Sequence, residues 1–99
     1  MAKQASALIL LVLLCSCRTM APHETGFLIR TVNVHGTAYP YSVYVPRNFD
    51  RTRKWPVVLF LHGSGERGSD GVRGTQIGAA AAIRHEPERV PAIVVFPQA

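Results

Sequence analysis

The sequence has two cysteines, Cys15 and Cys17, and none after them. Everything from Arg18 onward therefore lacks thiols, which excludes a disulfide framework and a cysteine-based metal site from the folded part. A bridge between the two cysteines themselves is disfavoured, because one intervening residue leaves little room for disulfide geometry. Acid is also scarce: six Asp and Glu stand against eleven Lys and Arg, a net charge of +5. The basic residues are scattered, and no aromatic residues interleave with them as nucleic-acid surfaces require, so a nucleic-acid partner is not expected. Their densest group, Arg47, Arg51, Arg53 and Lys54 around Asp50, reads as a solvated loop, with an anion-facing patch as the sharper alternative. Long apolar runs are missing too. The stretch from Ala7 to Leu14 falls far short of the roughly 20 residues a membrane-crossing helix needs.

That short run has another reading. Lys3, then the apolar stretch, then small residues and cysteines make the charged, hydrophobic and cleavage regions of a secretory signal. Leu14-Cys15-Ser16-Cys17 resembles a bacterial lipoprotein box, although Cys15 departs from the small residues usual at its position. The resemblance implies removal of residues 1–16 and lipidation of Cys17. An ordinary signal cleaved near Ala21 is the alternative. Two or more acyl chains give stable anchoring, so the expectation is an exported protein held on the cell envelope by a lipid at Cys17, with the membrane as a partner. Residues 17–26 form a polar tether. Losing residues 1–16 removes Lys3 alone and leaves a net charge of +4.

Residues 27–99 carry the folded part, at most one small domain. Phe27–Val34 reads as a strand with Leu28, Arg30, Val32 and Val34 on one face, and His35-Gly36-Thr37 as a turn. Tyr39–Val45 alternates: Tyr39, Tyr41, Val43 and Val45 share one face, and Pro40, Ser42 and Tyr44 the other. This predicts a half-buried strand in an antiparallel hairpin. The amide position of Pro40 must face away from any neighbour. After a basic loop, the unbroken apolar run Val57–Leu61 predicts a strand buried on both faces. Thr75 is expected to cap a helix reaching about His85, which Pro87 stops. Ala92–Phe96 is a second apolar strand. Two apolar strands joined by a helix make a βαβ unit, so they run parallel.

The first of these strands ends in His62-Gly63-Ser64-Gly65-Glu66-Arg67-Gly68, which fits several patterns. It contains G-x-G-x-x-G, yet Asp70-Gly71 and Gly74 delay the helix that a dinucleotide site needs, and Pro97-Gln98 stands where the ribose-binding acid belongs. Its glycines have P-loop spacing, yet Ser69 takes the place of the lysine. Ser64 has His62 and Glu66 around it where a nucleophile elbow requires glycines.

LFLHGSGERG resembles the oxyanion segment of α/β-hydrolases, in which the third strand ends in His-Gly. With YPYSVYVP and PERVPAIVVFPQA, it is similar to secreted esterases and predicted peptidases of the polyhydroxybutyrate-depolymerase, feruloyl-esterase and phospholipase/carboxylesterase type. The resemblance spans residues 32–98 and about the first third of such a catalytic domain. It implies an α/β fold with strand order 1-2-4-3-5 and serine-hydrolase chemistry on an ester-type small-molecule or polymer substrate, with no cofactor or metal. The backbone amides of Ser64 and Gly65 would be oxyanion donors, with glycine freedom letting the turn approach a ligand. His62 would orient the turn, Glu66 and Arg67 would brace it, with substrate contact as a second role for Arg67, and Asp70 would be a turn residue.

No G-x-S-x-G occurs in the sequence, and in these hydrolases serine, acid and histidine follow the strands found here. The expectation is therefore an incomplete α/β-hydrolase domain, poorly folded and inactive alone. A noncatalytic lipoprotein or interaction module with part of the fold is the alternative.

Overall fold

The computed structural model describes residues 22–99. The segment expected to be a signal sequence (residues 1–16), Cys17 and half of the expected tether (residues 17–21) lie outside them. The hairpin strands are β1 (Gly26–Val34) and β2 (Thr37–Val45), paired antiparallel with Val34 opposite Thr37. His35 and Gly36 form the two-residue turn, both with positive φ (49° and 82°), which matches the twist of the flanking strands. Counting outward from that turn, Pro40 opposite Thr31 is a non-hydrogen-bonded pair. Its missing donor thus points toward the far side of β2, where pairing with the next strand stops at Tyr41 opposite Pro97.

The remaining elements are β3 (Val57–Leu59), α1 (Ala79–His85) and β4 (Ile93–Pro97). The sheet order is β1-β2-β4-β3, with β4 antiparallel to β2 and parallel to β3. Helix α1 links the parallel strands and packs on one face of the sheet. Ala80 and Ile83 meet Tyr44, Val94 and Phe96 there, with Phe27, Phe60, Ala79 and Val90 around them. Three aromatic pairs tie this cluster together: Phe27–Tyr44 at 5.2 Å, Phe27–Phe96 at 6.0 Å and Phe60–Phe96 at 5.6 Å between ring centroids.

The face under α1 is the one carrying Pro40, Ser42 and Tyr44. Ser42 and Tyr44 are buried, whereas Tyr39 on the opposite face is exposed. Burial pushes the Tyr44 hydroxyl above its usual range, Glu88 adds to this, and Arg47 opposes it.

Three expectations are corrected. The strand predicted for Val57–Leu61 is regular only to Leu59, and it is not buried on both faces. It is the sheet edge, and Val57, Val58 and Leu59 are 64%, 46% and 62% exposed because no neighbour covers that side among the described residues. Phe60 still extends its ladder, its N–H donating to the Val95 carbonyl. Next, Thr75 does not cap α1. It closes a 3-10 turn, Arg73–Thr75, and α1 begins only after Gly78, whose φ of 65° no continuing helix can accommodate. A Cβ at Gly78 would come within 3.1 Å of the Phe60 ring. The helix does end at Glu86, before Pro87. Last, Gly63 is extended (φ −82°, ψ 179°), a conformation open to any residue. The glycines nearby with positive φ are Gly68 (152°), Gly71 (71°) and Gly78 (65°).

In the basic loop, Trp55 Nε1 donates to the Asp50 carbonyl and Arg53 stacks over the indole at 4.6 Å. The N–H and hydroxyl of Thr52 hold the Asp50 carboxyl below its usual range.

Candidate functional site

The turn lies at the carboxyl end of β3, beside the carboxyl end of β4, which is where open α/β sheets place reacting groups. Ser64–Glu66 forms one 3-10 turn, closed by the Glu66 N–H on the Gly63 carbonyl at 3.3 Å. The amides of Ser64 and Gly65 are the leading N–H groups of that turn, and such groups have no partner within a helix. Both residues are exposed. Two neighbouring amides without a partner inside the turn thus sit on an exposed segment at the end of a parallel strand.

His62 is half-buried behind this turn. Its Nδ1 lies 2.6 Å from the Gly63 carbonyl, and its Nε2 accepts the Ala99 N–H at 3.2 Å. With one nitrogen donating and the other accepting, the ring serves as the Nδ1–H tautomer. Gly68 N–H donates to the Ala99 carbonyl. The residues just after β4 are thus bonded to both ends of the glycine turn. The side chains of Glu66 and Arg67 form no ion pair with each other among the described residues. Arg67 instead takes part through its carbonyl, which accepts from Arg73.

Asp70 lies in the next loop, where its Oδ1 accepts the N–H groups of Val72 (2.9 Å) and Arg73 (3.0 Å). The amides of Arg73 and Val72 hold its carboxyl below the usual carboxylate range. Beyond it, Thr75 is buried, and Arg84 donates to both its carbonyl and its hydroxyl while stacking 4.3 Å over the Phe27 ring. Arg84 thereby ties α1 to the loop that follows the turn.

One residue here was not singled out as a site residue in the sequence. Gln98 is 7% exposed, and its carboxamide bridges the two loops: Oε1 accepts the Gly71 N–H at 2.6 Å and Nε2 donates to the Glu66 carbonyl at 3.1 Å. A polar residue directly after an apolar strand was the available signal.

A separate cavity of about 620 Å³ opens at the opposite end of the sheet, lined by Tyr44, Arg47, Glu88 and Pro91 among others. It shares no residue with the turn.

No family model matches the chain, and no curated protein does. Among solved structures, that of a thermostable esterase is similar, with 35% identity and a TM-score of 0.61 over 73% of this chain and 20% of the esterase chain. The chain thus spans about one fifth of the length of that esterase. In structure it is an esterase-like mixed sheet of four strands with few helices.

Proposed function

We propose that residues 26–99 form the front portion of a serine hydrolase acting on carboxylic esters by acyl transfer. The observation that carries this reading is the exposed 3-10 turn at the carboxyl end of β3 in a chain similar to a solved esterase. The Ser64 and Gly65 amides stabilise the tetrahedral oxyanion, the Ser64 hydroxyl is incidental, and His62 orients the turn through Gly63 and Ala99. Two fixed dipoles aimed at a developing negative charge contribute without reorganising during the reaction, and losing one costs roughly 3–4 kcal/mol. The nucleophile, acid and base come from beyond the residues of this sequence, which contains no G-x-S-x-G. No cofactor or metal takes part. The substrate is an ester-type small molecule or polymer.

We also propose that the protein is exported and anchored to the cell envelope through a lipid on Cys17. Intact mass and acyl labelling of the membrane fraction test this: wild type carries the lipid, and Cys17→Ser does not.

The test of the catalytic reading begins with the coding DNA. A frame continuing past Ala99 that encodes G-x-S-x-G, then Asp and His, is expected, and its product should hydrolyse p-nitrophenyl acetate. In that product Ser64→Ala should keep most of its kcat, while Gly65→Pro, which deletes an N–H, should lose about 10²–10³-fold. A stop codon directly after Ala99 with no such motif downstream would instead favour a noncatalytic lipoprotein module.

A further inference from the structure

Gly71 is held from both sides by buried side chains. Its N–H donates to Gln98 Oε1, and its carbonyl accepts the hydroxyl of Ser42, a residue of β2. The same Gln98 reaches the Glu66 carbonyl through Nε2. A continuous relay therefore runs from Ser42 in the hairpin through Gly71 and Gln98 to the last residue of the 3-10 turn. Gly68 leaves room for the carboxamide, and Gly71 lets the relay's middle residue lie against the hairpin. A Cβ at Gly68 would sit 3.0 Å from Gln98 Nε2, and one at Gly71 would sit 3.1 Å from Ile29 and 3.2 Å from Pro40. Gln98 itself is rooted at the end of β4, the strand whose Val94 and Phe96 form the centre of the core.

We infer that Gln98 is the positioning residue of the turn: its carboxamide transmits the rigidity of β4 to Ser64–Glu66 and fixes where the two exposed amides point. This rests on the oxyanion reading for its catalytic meaning, but not for its geometry. The role demands one donor and one acceptor on a planar group of this length, because the partners are a carbonyl and an N–H. A carboxylate supplies only acceptors, and a protonated carboxyl supplies one of each.

That difference gives the test. Peptide-resolved hydrogen exchange at low micromolar concentration compares wild type, Gln98→Glu and Gln98→Met. At pH 7, Gln98→Glu should speed exchange in the 62–68 segment by about tenfold, as expected for one lost hydrogen bond, while leaving the hairpin at 26–45 unchanged. Acidification to about pH 4, with rates corrected for intrinsic pH dependence, should protonate the introduced carboxyl and restore protection. Gln98→Met should loosen both 62–68 and 70–75 at either pH. Glu66, Arg67 and His62 of the turn, and Asp70 and Arg73 of the next loop, are the charged or titratable groups nearby. All are present in wild type, whose own profile is the control. Equal loosening of turn and hairpin, no recovery in acid, or a 62–68 segment already unprotected in wild type overturns the inference.

Methylphosphonate, a tetrahedral anion, separates the two claims. Acid rescue with no slowing of exchange at 63–66 by methylphosphonate retains Gln98 as positioning residue and removes the oxyanion reading. Slowing by methylphosphonate with a Gln98→Glu turn indistinguishable from wild type does the reverse.

Discussion

The glycines of the site are not equivalent. At Gly71 an added methyl group faces a left-handed backbone (φ 71°) and meets Ile29 and Pro40 inside van der Waals distance. Left-handed strain and overpacking together should cost about 2–4 kcal/mol in Gly71→Ala, a large part of the stability of a domain this size. At Gly65 nothing lies within 4 Å of the place a Cβ would take, and φ is not positive, so Gly65→Ala should shift stability by less than about 0.5 kcal/mol. Urea midpoints of the two variants check the contrast. Asp70 supplies a pH test. Its folded-state pKa lies below the ordinary value, so its stabilisation is complete above about pH 4 and disappears as pH falls through the lower folded value. Exchange at Val72 and Arg73 should therefore remain slow at pH 5 and rise only in stronger acid. Asp70→Asn, which keeps an acceptor but cannot titrate, should flatten that acid limb. The pattern H-G-S-G-E-R-G was legible as a turn because no regular element tolerates such spacing. Which glycines the turn requires was not, since that depends on Ile29, Pro40 and Phe60 arriving from elsewhere in the chain.

Elements were legible where the signal is local. Alternation over Tyr39–Val45 and the short turn at His35-Gly36-Thr37 made the hairpin legible, although Thr37 proves to open β2, and Pro87 fixed the end of α1. The start of α1 was misplaced because Thr75 is a good capping residue by type, yet Gly78 breaks the backbone after it. Edge position was not legible locally: an apolar run such as Val57–Leu61 is read as buried on both faces, but burial is decided by neighbours. Cross-strand pairing puts Val57 and Leu59 on the face opposite α1, with Ile93, Val95 and Val43. No helix among the described residues packs there. An exposed apolar edge next to an open face favours pairing with other chains. Leu59→Lys, at a site 62% exposed, should leave the unfolding midpoint within about 0.5 kcal/mol of wild type. It should also lower the sedimentation-derived association of the chain. A midpoint falling by several kcal/mol would mean that Leu59 is covered.

At the scale of the whole molecule, the proposed hydrolase reading requires groups that the sheet does not contain. The turn offers amides at one end of β3 and β4. Acyl transfer also needs a nucleophile about 3 Å from the carbon whose oxygen those amides bind, and a base within hydrogen-bond reach of that nucleophile. Neither Ser64 nor His62 can form such a pair. His62 spends both ring nitrogens on Gly63 and Ala99, and in the oxyanion reading Ser64 contributes its amide. The 99-residue chain should therefore hydrolyse p-nitrophenyl acetate no faster than a mixture of imidazole and buffer matched to its four histidines. A residual rate should survive Ser64→Ala unchanged, and His62→Gln should lower it by no more than the share of one histidine in four. If either substitution abolished a measurable turnover, the turn would itself hold the reacting groups, and its assignment to the oxyanion would have to be given up.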